Sequence, residues 1–284
     1  MSLDRILARQ NRDGGWPYRS GASWTEPTAY AVLALLTAGE RDAAQRGIAW
    51  LRSVRRADGG WPPCGGIDES CWATALVALL PVEDLGTELH AGAVEWLLGV
   101  TGEESTWLYR VRQFLMGSPP PPDQASPGWP WVPRTAAWVG PTSLAMLALE
   151  TERKRNPARR SDGRLNARLA EGRGFLRNRT CRGGGWNHGS TQALGYPSSA
   201  YPETTGQALA ALGGTGSTGL EASLTLAQRF LAECRSADAL NWLRLGLQAC
   251  GELPPGYAAP AEIQFRTVPE IALNNLIEGG RGLS

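Results

Sequence analysis

Asp13-Gly14-Gly15-Trp16 and Asp58-Gly59-Gly60-Trp61 decide the reading of this chain, because each closes one helical pattern and opens another. The first leads into Trp24-Thr25-Glu26-Pro27-Thr28-Ala29-Tyr30-Ala31-Val32-Leu33-Ala34-Leu35. The second leads into Asp68-Glu69-Ser70-Cys71-Trp72-Ala73-Thr74-Ala75-Leu76. The plan returns where Gly128-Trp129-Pro130-Trp131 precedes Trp138-Val139-Gly140-Pro141-Thr142-Ser143-Leu144, and where Gly184-Gly185-Trp186 precedes Tyr201-Pro202-Glu203-Thr204-Thr205-Gly206. A fifth unit, Ser236 to Cys250, keeps the helix without a Gly-Trp turn. Recurrence of this kind marks a repeat architecture.

Two kinds of helix alternate around these turns. Residues 41–55 carry Ala44, Ile48 and Leu51 on one face, with Arg41, Arg46 and Arg52 elsewhere. Residues 2–10, 86–100, 163–178, 217–234 and 263–279 are expected to be helices of the same amphipathic kind. Residues 28–37, 73–80 and 142–149 are apolar nearly all round, as a helix covered on every side must be. The alternation predicts an all-α chain, an α/α toroid of five to six helical hairpins in two concentric rings, with strands nearly absent. It is read as a single domain over 1–284. The stretch 101–137 breaks the period with a helix expected from Trp107 to Met116 and a stiff run from Pro119 to Pro122. This insertion is either a cover for the mouth of the toroid or a surface loop.

Composition excludes several classes. Of the 284 residues, 42% are hydrophobic and 19% charged, which is globular. No run is long enough to span a bilayer, and the polar N-terminus offers no secretory core, so a cytoplasmic location is expected. The net charge of +1, with arginines spread over many helices, argues against nucleic acid. Five cysteines, an odd count, read as free thiols.

These repeats resemble the QW repeats of squalene-hopene and oxidosqualene cyclases, a pattern of a basic residue and glycine, an aromatic, a glutamine and a Gly-x-Trp end. Gln10 with Gly14-Gly15-Trp16 fits. So do Arg46-Gly47, Trp50 and Gly59-Gly60-Trp61, with Arg55 where glutamine is expected, and in part Arg173-Gly174-Phe175 with Gly184-Gly185-Trp186. The related prenyltransferase β subunits share the toroid. The resemblance implies an apolar isoprenoid or lipid ligand in a central cavity, no cofactor, and possible protein partners.

Carboxylates recur at the starts of the buried helices: Glu26, Asp68, Glu69 and Glu203. In class II terpene cyclases an Asp-x-Asp-Asp-Thr-Ala motif stands there, and its middle aspartate protonates an alkene. Glu26 aligns with that aspartate and Glu203 takes the matching place, although Trp24 and Pro27 replace the flanking carboxylates. The bland alternative is that both are helix-start acids favoured by the dipole, Ser23-Trp24-Thr25-Glu26 being also a capping box. The helix starts together should favour an anion. The rings Trp24, Tyr30, Trp72, Trp138, Tyr201 and Trp242 either line a cavity and face a carbocation or pack as core. Glu69-Ser70-Cys71 resembles part of the prenyltransferase zinc site, but Trp138 and Thr204 stand where its histidine is expected, and no metal is assigned. Three readings follow: a cyclase-like enzyme with a glutamate as proton donor, a non-catalytic toroid binding a lipid, an isoprenoid or a protein, and a zinc-dependent prenyltransferase-like subunit.

Overall fold

The computed structural model describes residues 2–117, 126–193, 196–213, 218–280 and 282–283. Pro119 to Pro122 lie outside that set. The chain groups into two compact units, residues 1–97 with 261–284, and residues 98–260.

The first unit holds α1 (Ser2–Leu7), α2 (Thr25–Ala38), α3 (Arg41–Val54), α4 (Thr74–Ala78), α5 (Val82–Leu85), α6 (Thr87–Gly99, ending at the unit's border) and, far along the chain, α13 (Val268–Glu278). The second holds α7 (Trp107–Leu115), α8 (Val139–Arg155), α9 (Gly163–Asn178), α10 (Pro202–Leu212), α11 (Glu221–Glu233) and α12 (Ala237–Ala249). Among the described residues the strands amount to one antiparallel pair of two residues each, Gln192–Ala193 with Tyr196–Pro197. No described helix is long and apolar enough to cross a membrane.

The Gly-Trp turn is built the same way each time. Trp16, Trp61 and Trp186 are fully buried, and each ring nitrogen donates to the carbonyl ten residues earlier: Ile6 at 2.8 Å, Leu51 at 2.7 Å, Leu176 at 2.6 Å. Each tryptophan therefore staples the end of the preceding helix. Its backbone N–H donates to a threonine hydroxyl on the helix that follows, Thr28, Thr74 and Thr205, and Trp129 does the same with Thr142. Buried N–H groups need such partners. Gly14 and Gly59 sit at positive φ, and a Cβ on Gly14 would lie 2.5 Å from the Arg46 carbonyl. Only glycine satisfies both conditions. The Asp13 carboxylate then accepts from Gly15 N–H and the Ser23 hydroxyl, and Asp58 does so from Gly60 and Ser70.

Gln10 knits the first turn to the next helix. Its amide donates to the Gly14 and Ala43 carbonyls, both at 2.9 Å, and its oxygen accepts from Arg46. On α3, Gly47 lets the Trp16 ring approach, since a Cβ there would be 2.7 Å from it. In the second unit Gly172, not Gly174, takes that place against Trp129.

The C-terminal segment departs from expectation. Residues 263–279 were expected to form an amphipathic helix, yet α13 is buried on most sides and packs on α2 and α1. Val268 N–H donates to the Tyr18 carbonyl at 2.8 Å. That is the bond by which α2 starts, Thr25 N–H to Pro63, and by which α8 starts, Val139 N–H to His188. The acceptor is each time the residue two beyond a buried turn tryptophan.

Candidate functional site

Trp24 stands just before helix α2, Trp138 before α8 and Tyr201 before α10, each in extended backbone with no side-chain cap. The backbone N–H of each is held by the carbonyl of its turn tryptophan, Trp16, Trp129 and Trp186. The three rings are thereby fixed at the helix mouths, and each is partly exposed. Two residues on from Trp24 and Tyr201 stand Glu26 and Glu203, both half-buried.

The expected capping box is absent. The Ser23 hydroxyl is committed to Asp13 and Asn11, and the Glu26 carboxylate accepts instead from the Tyr18 hydroxyl. Burial, reinforced by the Glu26 charge and that bond, pushes the Tyr18 phenol above its ordinary value, so it stays a donor. The Tyr18 and Trp24 rings are 5.7 Å apart. Cys71 lies within the field of the same carboxylate. Burial first, and the charge on Glu26 among lesser causes, pushes its thiol up to about 12. A neutral buried thiol is core, not nucleophile.

Glu203 has the corresponding partner in the second unit. His188 Nε2 lies 3.6 Å from Glu203 Oε1. The His188 ring is 5.2 Å from Tyr201 and 6.5 Å from Trp138. His188 of this pair lines a cavity of about 550 Å³ together with Trp138, Tyr201, Asn187, Ser198 and Arg179 among others; Glu203 is not one of its lining residues. Two of its lining residues, Ala137 and Arg179, are held by one buried acid. Glu104, buried, accepts from Ala137 N–H with both oxygens and pairs with the buried Arg179 at 3.8 Å. Arg179 in turn donates to the Gly189 carbonyl and lies over the Phe175 ring at 4.3 Å.

The other expected residues fall elsewhere. Asp68 is exposed and pairs with Arg56. Glu69 and Trp72 are half-buried near the start of α4. Tyr30 is buried within α2. Trp242 is not at a helix start: it is the sixth residue of α12 and buried, at the contact where Gly206 of α10 meets the α12 backbone. Among the described residues no three His, Cys, Asp or Glu side chains converge as a metal would require, and all five cysteines are free thiols.

The anion-favouring mouth is also weaker than expected. The first N–H of α2, α8 and α13 is given to a backbone carbonyl. Pro27 and Pro141, third in α2 and α8, and Pro269, second in α13, have no N–H to offer. Two of three first-turn positions thus present nothing to an anion.

Sequence reasoning set neither Tyr18 nor His188 beside the glutamates. The signal was available: both stand two residues beyond a turn tryptophan, as Trp131 does after Trp129. In that third repeat the acid's place is Gly140, and the Trp131 ring would lie 3.5 Å from a Cβ added there. Ring and glycine replace donor and acid.

No protein-family model matches the chain. It is 27% identical over 124 residues to a squalene–hopene cyclase of Zymomonas mobilis, a match over 37% of this chain and 18% of that protein. It is 31% identical over 75 residues to the terpene cyclase–glycosyl transferase fusion protein fsoA of Humicola fuscoatra, over 24% of this chain and 6% of that one. The matches therefore span less than a fifth of those proteins' length. In fold, the chain is similar to an endo-β-1,4-glucanase of glycoside hydrolase family 8 from an Achatina fulica gut metagenome, with TM-score 0.61, 14% identity, and 99% of this chain and 98% of that one covered. Endoglucanase Cel10 of Klebsiella pneumoniae is similar at TM-score 0.62, 12% identity and 99% of both chains. At such identities the likeness speaks for fold alone, and it makes the chain an all-α protein of the α/α-toroid class.

Proposed function

We propose that the chain is a terpenoid cyclase-like domain that acts on or binds an isoprenoid, with Glu203 or Glu26 as proton donor. The observation that carries this is the repeated placing of a polar side chain, two residues beyond a turn tryptophan, beside a first-turn glutamate: Tyr18 donates to Glu26, and His188 lies 3.6 Å from Glu203. The sequence likeness to terpene cyclases points the same way. A donor on one carboxyl oxygen leaves the other to hold the proton. When that proton passes to an alkene carbon, the new carboxylate of Glu26 keeps the Tyr18 hydrogen bond, now charge-assisted and stronger, and that of Glu203 has the His188 ring 3.6 Å away. The cation left on the hydrocarbon faces the rings of Trp138 and Tyr201, or of Trp24, whose π faces attract positive charge. A cavity of about 550 Å³ lies within the range of roughly 300–1,000 Å³ typical of small-molecule sites.

The test is the pair Glu26→Gln and Glu203→Gln, assayed for conversion of squalene, oxidosqualene and shorter prenyl diphosphates. Loss of turnover with the fold intact supports the enzyme. If the parent protein converts none of them yet retains a lipid from cell extract, it is a binding toroid and the glutamates are helix-start acids. Metal analysis of the purified protein separates the zinc-dependent prenyltransferase-like reading from both.

A further inference from the structure

The cavity of the second unit is lined by two kinds of surface. The rings of Trp138 and Tyr201 stand in its wall 38% and 47% exposed. Ser190, Ser198 and Ser199 line it as well. The backbone that carries these serines is braced. Ser198 N–H donates to the Thr191 carbonyl at 3.0 Å, and the Asn187 side chain accepts from Gly189 N–H and donates to the Ser190 carbonyl. Charge is cancelled within the site. Among the described residues Arg179 is the one lining side chain that is permanently charged. It is paired with Glu104 and donates to the Gly189 carbonyl. His188 has Glu203 as its neighbour at 3.6 Å. The helix starts beside the cavity add no site for an anion. Val139 N–H is given to the His188 carbonyl, and Pro202, first in α10, has no N–H.

We infer that this cavity takes an isoprenoid with a neutral, hydroxyl-rich, sugar-like head, its chain on the Trp138 and Tyr201 rings and its head against the serines. The inference rests on the isoprenoid reading above and names the class of ligand. A diphosphate head would bring several negative charges to a wall whose permanent cation is already neutralised by Glu104, and burying charge without a partner is costly. A bare hydrocarbon would strip water from the serine hydroxyls and return no hydrogen bond. A sugar-like head avoids both losses. Each of its hydroxyls donates and accepts, as a serine hydroxyl does, and the C–H face of its ring can lie on an aromatic side chain as apolar surface. Small-molecule sites combine apolar, aromatic walls with a few placed polar groups in this way.

The experiment titrates the full chain with geranyl glucoside, geraniol, geranyl diphosphate and methyl glucoside, read by calorimetry. Geranyl glucoside is expected to bind at least about tenfold more tightly than each of the other three. The double variant Ser198→Ala/Ser199→Ala should lower its affinity about tenfold and that of geraniol far less. Trp138→Ala should weaken geranyl glucoside and geraniol together. Circular dichroism checks that each variant keeps the fold, and the four-ligand series on the parent protein needs no variant. The inference is overturned if geraniol or geranyl diphosphate binds the parent as tightly as geranyl glucoside, if none of the four binds, or if the double variant keeps the parent's preference. Geraniol matching geranyl glucoside would leave the isoprenoid reading standing. Methyl glucoside matching it would sink that reading for this cavity and the inference with it.

Discussion

His188 lies 3.6 Å from Glu203 in the place that Tyr18 holds toward Glu26, two residues beyond the turn tryptophan in both repeats. The two side chains differ in chemistry but approach the same acid position. His188→Tyr should therefore be tolerated. The side chain is about half exposed, so the change in unfolding free energy should stay within about 0.5 kcal/mol. Urea unfolding checks this; a loss several times larger would mean that the two repeats are not interchangeable there.

The threonine that receives the turn tryptophan's N–H is a second shared part. Thr74→Val keeps the shape but leaves the buried Trp61 N–H without its acceptor. Stranding a buried donor costs about 1–3 kcal/mol. Trp61→Ala removes a fully buried ring and its bond to Leu51, and should cost about 3–5 kcal/mol. The order of the two losses in denaturant midpoints tests whether the staple or the hydroxyl dominates the turn.

The helices and turns were legible because their causes are local. Glycine pairs, a tryptophan and an apolar run each act over a few residues, and Ala44, Ile48 and Leu51 are all fully buried as the spacing required. Residues 263–279 were misread because their partner, Tyr18, is some 250 positions away in sequence, and no local pattern reports a Val268–Tyr18 bond. The capping box failed for a similar reason. Ser23 had a better partner in Asp13 and Glu26 a better one in Tyr18, and both are set by how the turn folds back. Glu26 and Glu203 were found from their register; their donors were not, since neither Tyr18 nor His188 belongs to the helix that carries the acid.

Glu104 and Arg179 offer a third test, Arg179 being one of the residues that line the second unit's cavity. Both side chains are about 94% covered, and Glu104 also holds the Ala137 N–H. Removing one member of a buried pair leaves an uncompensated charge, at a cost of about 3–5 kcal/mol. Arg179→Met alone should be strongly destabilising, and adding Glu104→Gln should restore much of the loss. Purely additive effects in a double-mutant cycle would show that the two do not act as a pair.

The last prediction concerns alkaline pH. The Cys71 thiol is raised from its ordinary value near 9 to about 12, mainly by burial, and Tyr18 is raised above 10 by burial and by Glu26. Both groups lose their proton more readily when the chain is unfolded. Between pH 9 and 12 the unfolded state therefore binds fewer protons than the folded one, and stability falls as pH rises. Below pH 9 both groups are protonated in either state, and the term is constant. Cys250 and the buried Cys181 and Cys234 are shifted in the same direction, so their contributions add in sign. A single thiol contributes a slope of at most about 1.4 kcal/mol per pH unit. The melting temperature should be flat from neutral pH to about 9 and decline beyond it. Cys71→Ala, whatever it costs at neutral pH, should decline less steeply than the parent, because the replaced group no longer titrates. Equal slopes in the two proteins would show that Cys71 ionises in the folded state as readily as in the unfolded chain, and that its burial beside Glu26 is not what the structure describes.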